Sequence, residues 1–350
     1  MVMQDGGTVD VRPGADPGRA AAEHSGAYLA TALCLGLYAG TLLAWTVYGI
    51  AQGDGSTWDF LEGLFNPGAS PANQVLGPYE WSFTVAFLVI AGLALAQRRV
   101  ARSAALLTAC LLLAVSVREG VGLFDAAYRA QYSNDPLGGW TLATRGLGLV
   151  VALVVLAVML PATERRPGGR DSRTGHDDGR GAGGPESWWR RSSRICGVLF
   201  TLMGLARLGW AVHDLMTTGM DKGNYLRGVV DGSVLGTLDL AASAEFTTAA
   251  SVTVLLILGV LALRGRRDVR GALLVFAAVE LYLTVRTVVW LTVTGSFNHS
   301  FDTTEGALSM ATTAYALAAM TSVVVLATGR GFGPYGGVRA EGLRTARGGA

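Results

Sequence analysis

Charge is scarce in this sequence. Only 15% of its 350 residues are Asp, Glu, Lys or Arg, and 51% are apolar, where a soluble globular domain carries roughly 25% charge. That leaves too little polar surface for a water-soluble fold of this length. Lysine is nearly missing: of 28 basic residues all but Lys222 are Arg, which together with abundant Gly and Ala points to a GC-rich, actinobacterial-type coding sequence. Cysteine is sparse too. Cys34, Cys110 and Cys196 fall inside apolar runs without a CxxC partner, which excludes a disulfide framework or a thiolate metal site. Of the four His, only His213 lies in a long apolar run, which argues against bis-imidazole haem ligation. There is no Walker-type glycine loop, dinucleotide fingerprint or HExxH. No metal, cofactor or nucleic-acid partner is therefore expected. Residues 1–26 carry Asp5, Asp10, Asp16 and Glu23 and lack a basic start before a short apolar core, so the first apolar run reads as an anchor rather than a signal peptide.

What the sequence does have is long apolar runs. A bilayer-spanning helix needs about 20 mostly apolar residues, and spans are expected near 27–51, 79–97, 103–125, 140–161, 193–216, 242–263, 271–293 and 306–328. The basic residues set the orientation. Arg98, Arg99 and Arg102 form one basic turn, Arg264, Arg266, Arg267 and Arg270 another, while 52–78 and 294–305 hold only acids. The fold class predicted is an all-α, multi-pass membrane protein of about eight helices with both termini cytoplasmic. The expected organisation is a polar N-terminus (1–26), a four-helix repeat (27–162), a Gly- and Arg-rich linker (163–191), a second repeat (192–329) and a tail (330–350). Trp188 and Trp189 read as interfacial anchors and His176 as a solvated linker residue.

The repeat assignment rests on residue matches. A shift of 165 lays Trp45 on Trp210 and Glu80 on Glu245, and a shift of 168 lays Arg98-Arg99 on Arg266-Arg267, Arg102 on Arg270 and Arg118 on Arg286. Five polar or aromatic matches with one small gap argue for duplication. Each repeat has an even number of spans, so the copies run in the same sense about an axis along the membrane normal.

Ionisable residues inside a span mark function or a paired interior. Glu80 and Glu245 open their helices at the acidic-loop end. Arg118 and Arg286 lie about 24 Å along theirs from the opposite end, at 1.5 Å per residue, and Arg145 sits early in the fourth span. Arg207, Trp210 and Asp214 share a helix face, with His213 flanking the Trp; Tyr282, Arg286 and Trp290 share another, and Arg118, Gly122, Asp125 and Arg129 a third. Two readings stand side by side. The charges form interhelical pairs Glu80–Arg118 and Glu245–Arg286, with Arg207–Asp214 along one helix, or they serve a site, in which Glu280 is the deepest acid.

Residues 245–290 run Glu-Phe-Thr-Thr-Ala, an apolar stretch, Arg-Gly-Arg-Arg, then Glu280-Leu281-Tyr282, Arg286 and Trp290. This resembles the four-span EXPERA domain of emopamil-binding sterol isomerases and, in its layout, DoxX-like proteins. The resemblance implies a membrane-embedded isomerase or, in related chemistry, a terpene cyclase that protonates a lipophilic, isoprenoid-like substrate. Glu245, Glu80, Asp214 and Glu280 would then be the acids. Trp45, Trp210, His213, Tyr282, Arg118, Arg286 and Trp290 would contact a membrane lipid or lipophilic small molecule. A carrier or lipid-binding protein and a non-catalytic accessory subunit are the alternatives. The oligomeric state stays open.

Overall fold

A computed structural model describes residues 18–52, 57–69, 76–162, 185–217, 221–235 and 240–328. The eight long helices are α1 (Ser25–Gln52), α3 (Pro78–Leu95), α4 (Val100–Gly122), α6 (Gly138–Met159), α7 (Pro185–Thr217), α9 (Ala244–Leu263), α10 (Arg270–Val293) and α12 (Thr304–Thr328). Each is long and apolar enough to cross a membrane. Among the described residues four short α-helices lie between them: α2 (Thr57–Phe65), α5 (Ala126–Asn134), α8 (Lys222–Val230) and α11 (Ser296–His299). The architecture is all-α, as the composition and run lengths require.

Most helix ends fall within about three residues of the sequence-based bounds, and two differ in kind. The fifth long helix, α7, starts at Pro185, inside the stretch expected to be linker; Pro fits a first turn because its missing N–H has no partner there anyway. Residues 18–20 are not loose either: Ala20 N donates to the Gln97 carbonyl at 2.7 Å and Arg99 N to the Gly18 carbonyl at 3.1 Å, across the α3–α4 turn. Residues 1–17, His176, the rest of the linker to 184 and the tail lie outside the described residues, as do the side chains of Trp188 and Trp189.

Each set of four long helices packs as a bundle with its own core. The first, α1, α3, α4 and α6, centres on Tyr28, Leu35, Ile90 and Met159; the second, α7, α9, α10 and α12, on Phe200, Leu255, Phe276 and Met320. The bundles meet where α4 crosses α10. There Gly271 N donates to Ser103 Oγ at 3.0 Å. A Cβ on Gly271 would run into the Val100 carbonyl oxygen, so glycine is what lets the two backbones approach. Ser103 and Gly271 are equivalent under the 168-residue shift, and a residue touching its own counterpart marks a local twofold.

The hydrogen bonds repeat with that symmetry. Arg102 Nε donates to the Met159 carbonyl at 3.1 Å, and Arg270 Nε to the Ala327 carbonyl at 2.6 Å. Each is a cation on the last turn of its bundle's fourth helix, where free carbonyls concentrate negative potential. Trp45 Nε1 donates to Thr144 Oγ1 at 2.9 Å and Trp210 Nε1 to Thr312 Oγ1 at 3.3 Å. Both pairs are related by the same shifts that align the sequence.

Candidate functional site

The acids and arginines that the two repeats share do not pair with each other. Glu80 is the third residue of α3 after the Gly77 N-cap. Its carboxylate curls back over its own helix start, accepting from the backbone N–H groups of Gly77, Glu80 and, across the bundle boundary, Ala242, the last at 2.7 Å. This is the use a helix start makes of an acid at its third position. Glu245 occupies the second position of α9 behind the Ser243 N-cap and packs on Gly228 of α8, where a Cβ would stand 3.2 Å from its carboxylate. The expected Glu80–Arg118 and Glu245–Arg286 pairs are therefore replaced by backbone contacts.

Arg118 and Arg286 instead reach loops of the opposite bundle. Arg118 Nε donates to the Gly228 carbonyl and Nη2 to the Asp231 carbonyl, each at 3.2 Å, and its guanidinium lies 5.5 Å from the Phe246 ring centroid. Arg286 Nη2 donates to the Gly63 carbonyl at 3.4 Å, and Tyr282 on the same face donates to the Leu64 carbonyl at 2.6 Å. Gly63 and Gly228 are equivalents under the 165-residue shift. Each repeat thus holds the loop helix of the other by the same arginine.

The carboxylates of the buried ion pairs are residues that the repeats do not share. In the second bundle Glu280, 1% exposed, takes Arg207 Nη2 on Oε2 at 2.5 Å, while Oε1 accepts from Arg207 Nη1 at 3.0 Å and from Ser251 Oγ at 2.7 Å. Arg207 turns to Glu280 rather than to Asp214, which is seven residues along α7 and exposed near its end. His213 flanks Trp210 edge-on at 5.7 Å as its spacing implies, but it is 44% exposed and faces Glu305 at 3.5 Å. In the first bundle the buried carboxylate is Glu119. It stands 3.3 Å from Arg118 Nη1 and 3.7 Å from Arg145 Nη2, and accepts from the Tyr128 hydroxyl at 3.0 Å. Burial first, then the hydrogen bond to Tyr132 and the nearby Glu119 charge, push the Tyr128 phenol above its ordinary pKa, so it stays a donor. Asp125 caps α5 through Ala127 N and Tyr128 N and so does not continue the α4 face; α4 ends at Gly122.

Two cavities follow from this arrangement. Beside Glu80, Tyr38, Tyr79, Phe83 and Phe87 of the first bundle and Phe246 of α9 line a space of about 60 Å³. In the second, α7, α10 and α12 enclose a pocket of about 220 Å³ lined by Arg207, Trp210, Met203, Thr284, Thr287 and Thr313, with further contributions from α12. Met203 and Thr284 are buried at its floor, while Thr287 and Ser309 are exposed at its mouth. A shallower groove lined by Pro67, Leu283, Arg286, Thr287 and Trp290 shares Leu283 and Thr287 with it. Of the residues the sequence suggested as a site, the structure brings together Arg207's partner Glu280, Trp210, Arg286 and Trp290. Trp45, Glu80 and Arg118 stand in the other bundle, Tyr282 turns to the α2 carbonyl, and Asp214 and Glu245 sit at loop ends. Among the described residues no group of three His, Cys, Asp or Glu side chains is placed to hold a metal.

Comparison with family models, curated proteins and solved structures gave no match. The reading of the site therefore stands on its geometry.

Glu119, Ser251 and the threonines were not among the sequence candidates. Glu119 adjoins Arg118, and neighbours on a helix face directions about 100° apart, so adjacency gave no reason to pair them. Their signal in the sequence is a difference between the repeats: Glu119 matches Thr287, Arg145 matches Thr313 and Tyr38 matches Met203 under the repeat shifts.

Proposed function

We propose that this protein is a membrane-embedded binding protein or carrier whose ligand occupies the pocket of the second bundle. One observation carries the reading. Where the first bundle fills the space with Tyr38, Glu119 and Arg145, the second has Met203, Thr287 and Thr313 and leaves about 220 Å³ open. An unfilled hollow between packed helices costs stability, and a concave site with a few convergent polar groups is the usual form of a small-molecule site. The volume suits a head group or short chain. A membrane lipid or lipophilic small molecule is the class of partner, with the basic turns on the cytoplasmic side. A cysteine at Ala69 would then label from outside intact cells and one at Gly175 would not; the opposite pattern inverts the orientation.

The test of the pocket is to fill it. Met203→Tyr, which copies Tyr38, combined with Ala316→Leu should preserve the fold. Small molecules co-purifying with the natural and filled proteins would be extracted and compared by mass spectrometry. The expected result is a compound retained by the first and lost from the second. An identical complement in both would overturn the proposal.

Acid catalysis on an isoprenoid-like substrate is the second reading, and the aromatic ring of side chains around Glu80 favours it, since such faces stabilise cations. Its cavity of about 60 Å³, however, is only about two waters in size. The Glu80 carboxylate is also held at its own helix start by three backbone N–H donors.

A further inference from the structure

Arg286 has no carboxylate among the described residues. Its Nη2 meets only the Gly63 carbonyl, at 3.4 Å, and its Nε is buried without a hydrogen-bond partner. Its counterpart Arg118 has Glu119 at 3.3 Å. The residue that follows Arg286 is Thr287, which stands where Glu119 stands in the first bundle and lines both the pocket and the groove. A guanidinium inside a membrane protein is costly without a counter-charge, and here the position that supplies the charge in one repeat is vacated in the other beside open space. Arg207, the cation of the neighbouring pocket, is already neutralised by Glu280.

We infer that the groove at Arg286 binds an anionic head group, a carboxylate or phosphate, which takes beside Thr287 the place that the Glu119 carboxylate takes beside Arg118. This rests on the second bundle being the ligand site and names the ligand's charge. Guanidinium presents parallel N–H donors that match two oxygens of an oxyanion. Trp290 and Leu283 flank the position with apolar surface for the first carbons of a chain. An anion is drawn to Arg286 rather than to the pocket floor, because at the floor it would face the Glu280 carboxylate behind Arg207.

The experiment uses the full chain purified in a neutral detergent, with ligand retention followed by native mass spectrometry and stability by thermal shift. The probes are dioleoyl phosphatidic acid, dioleoylglycerol (which differs from it by the phosphate alone) and inorganic phosphate. The natural protein should retain phosphatidic acid at least tenfold over dioleoylglycerol. Arg286→Gln and Thr287→Glu should each abolish the preference. Thr287→Glu supplies an internal carboxylate and should melt no lower than the natural protein, so it keeps the test open if Arg286→Gln folds poorly. Protection by inorganic phosphate alone, lost in both variants, identifies a soluble anion as the source of the same chemistry. No preference for either anion in the natural protein, or a preference unchanged in both variants, overturns the inference. If that happens while the filled-pocket protein still loses a neutral compound, the binding reading survives and only the charge assignment falls.

Discussion

The two bundles share their edges and differ in their middles. Both carry the Trp–Thr bond, the Arg that binds the last carbonyls of the fourth helix, and the Arg that grips the opposite loop. They differ in where a buried carboxylate sits on the third helix. Glu280 corresponds to Leu112, whereas Glu119 corresponds to Thr287, seven residues or about 10 Å nearer the loop end. A carboxylate placed high draws Arg145 across and closes the first bundle. A carboxylate placed low holds Arg207 down and leaves the space above it open. The same scaffold is thus plugged or hollow according to the height of one ion pair.

That comparison is most severely tested at Glu280. Glu280→Leu leaves Arg207 in the interior without its partner and should cost about 3–5 kcal/mol, read from unfolding in detergent. Adding Arg207→Leu reproduces Leu42 and Leu112 of the first bundle and should recover the loss, since replacing a whole buried pair by apolar residues is often neutral or better. A double variant as unstable as the single one would show that the pair is more than a packing device. The next effect is at Glu119. Glu119→Gln keeps the shape but removes the charge between Arg118 and Arg145, and Gly232 of the opposite loop packs directly on this carboxylate. Hydrogen exchange should rise across residues 221–233 with less change in residues 57–65; uniform change in both loops would break the assignment. The smallest effect concerns the shared edge. Trp45→Phe and Trp210→Phe each remove one hydrogen bond, worth about 0.5–1.5 kcal/mol, and should lower stability alike. Only the second should also weaken ligand retention, because Trp210 lines the pocket.

The long helices were legible because hydropathy and length alone mark them, and the duplication was legible because Trp, Glu and Arg are rare enough in such a chain for their recurrence to register. The pairing was not. Matching Glu80 to Glu245 and Arg118 to Arg286 suggested that the shared acids neutralise the shared bases. Their partners are backbone groups, the N–H donors at helix starts for Glu80 and the loop carbonyls for the arginines, and backbone partners leave no trace in a side-chain pattern. The carboxylates of the ion pairs fell to unshared residues, Glu280 against Arg207 and Glu119 against Arg118 and Arg145, so the repeated features did not mark them. The pocket was hidden for the same reason: it exists where one repeat has Thr and Met against the other's Glu, Arg and Tyr.

The exchange of loops between the bundles also bears on how the chain can be assembled. Arg118 takes its carbonyls from residues more than a hundred positions later, and Arg286 from one more than two hundred positions earlier. Contacts of such separation form late, after the chain between them has been fixed. During synthesis the first four spans emerge with the Arg118 donors still waiting for Gly228 and Asp231. The α2 helix likewise has no arginine to hold it until α10 arrives. Neither half reaches its finished state alone, and the two mature together, each supplying the final turn of backbone that the other needs.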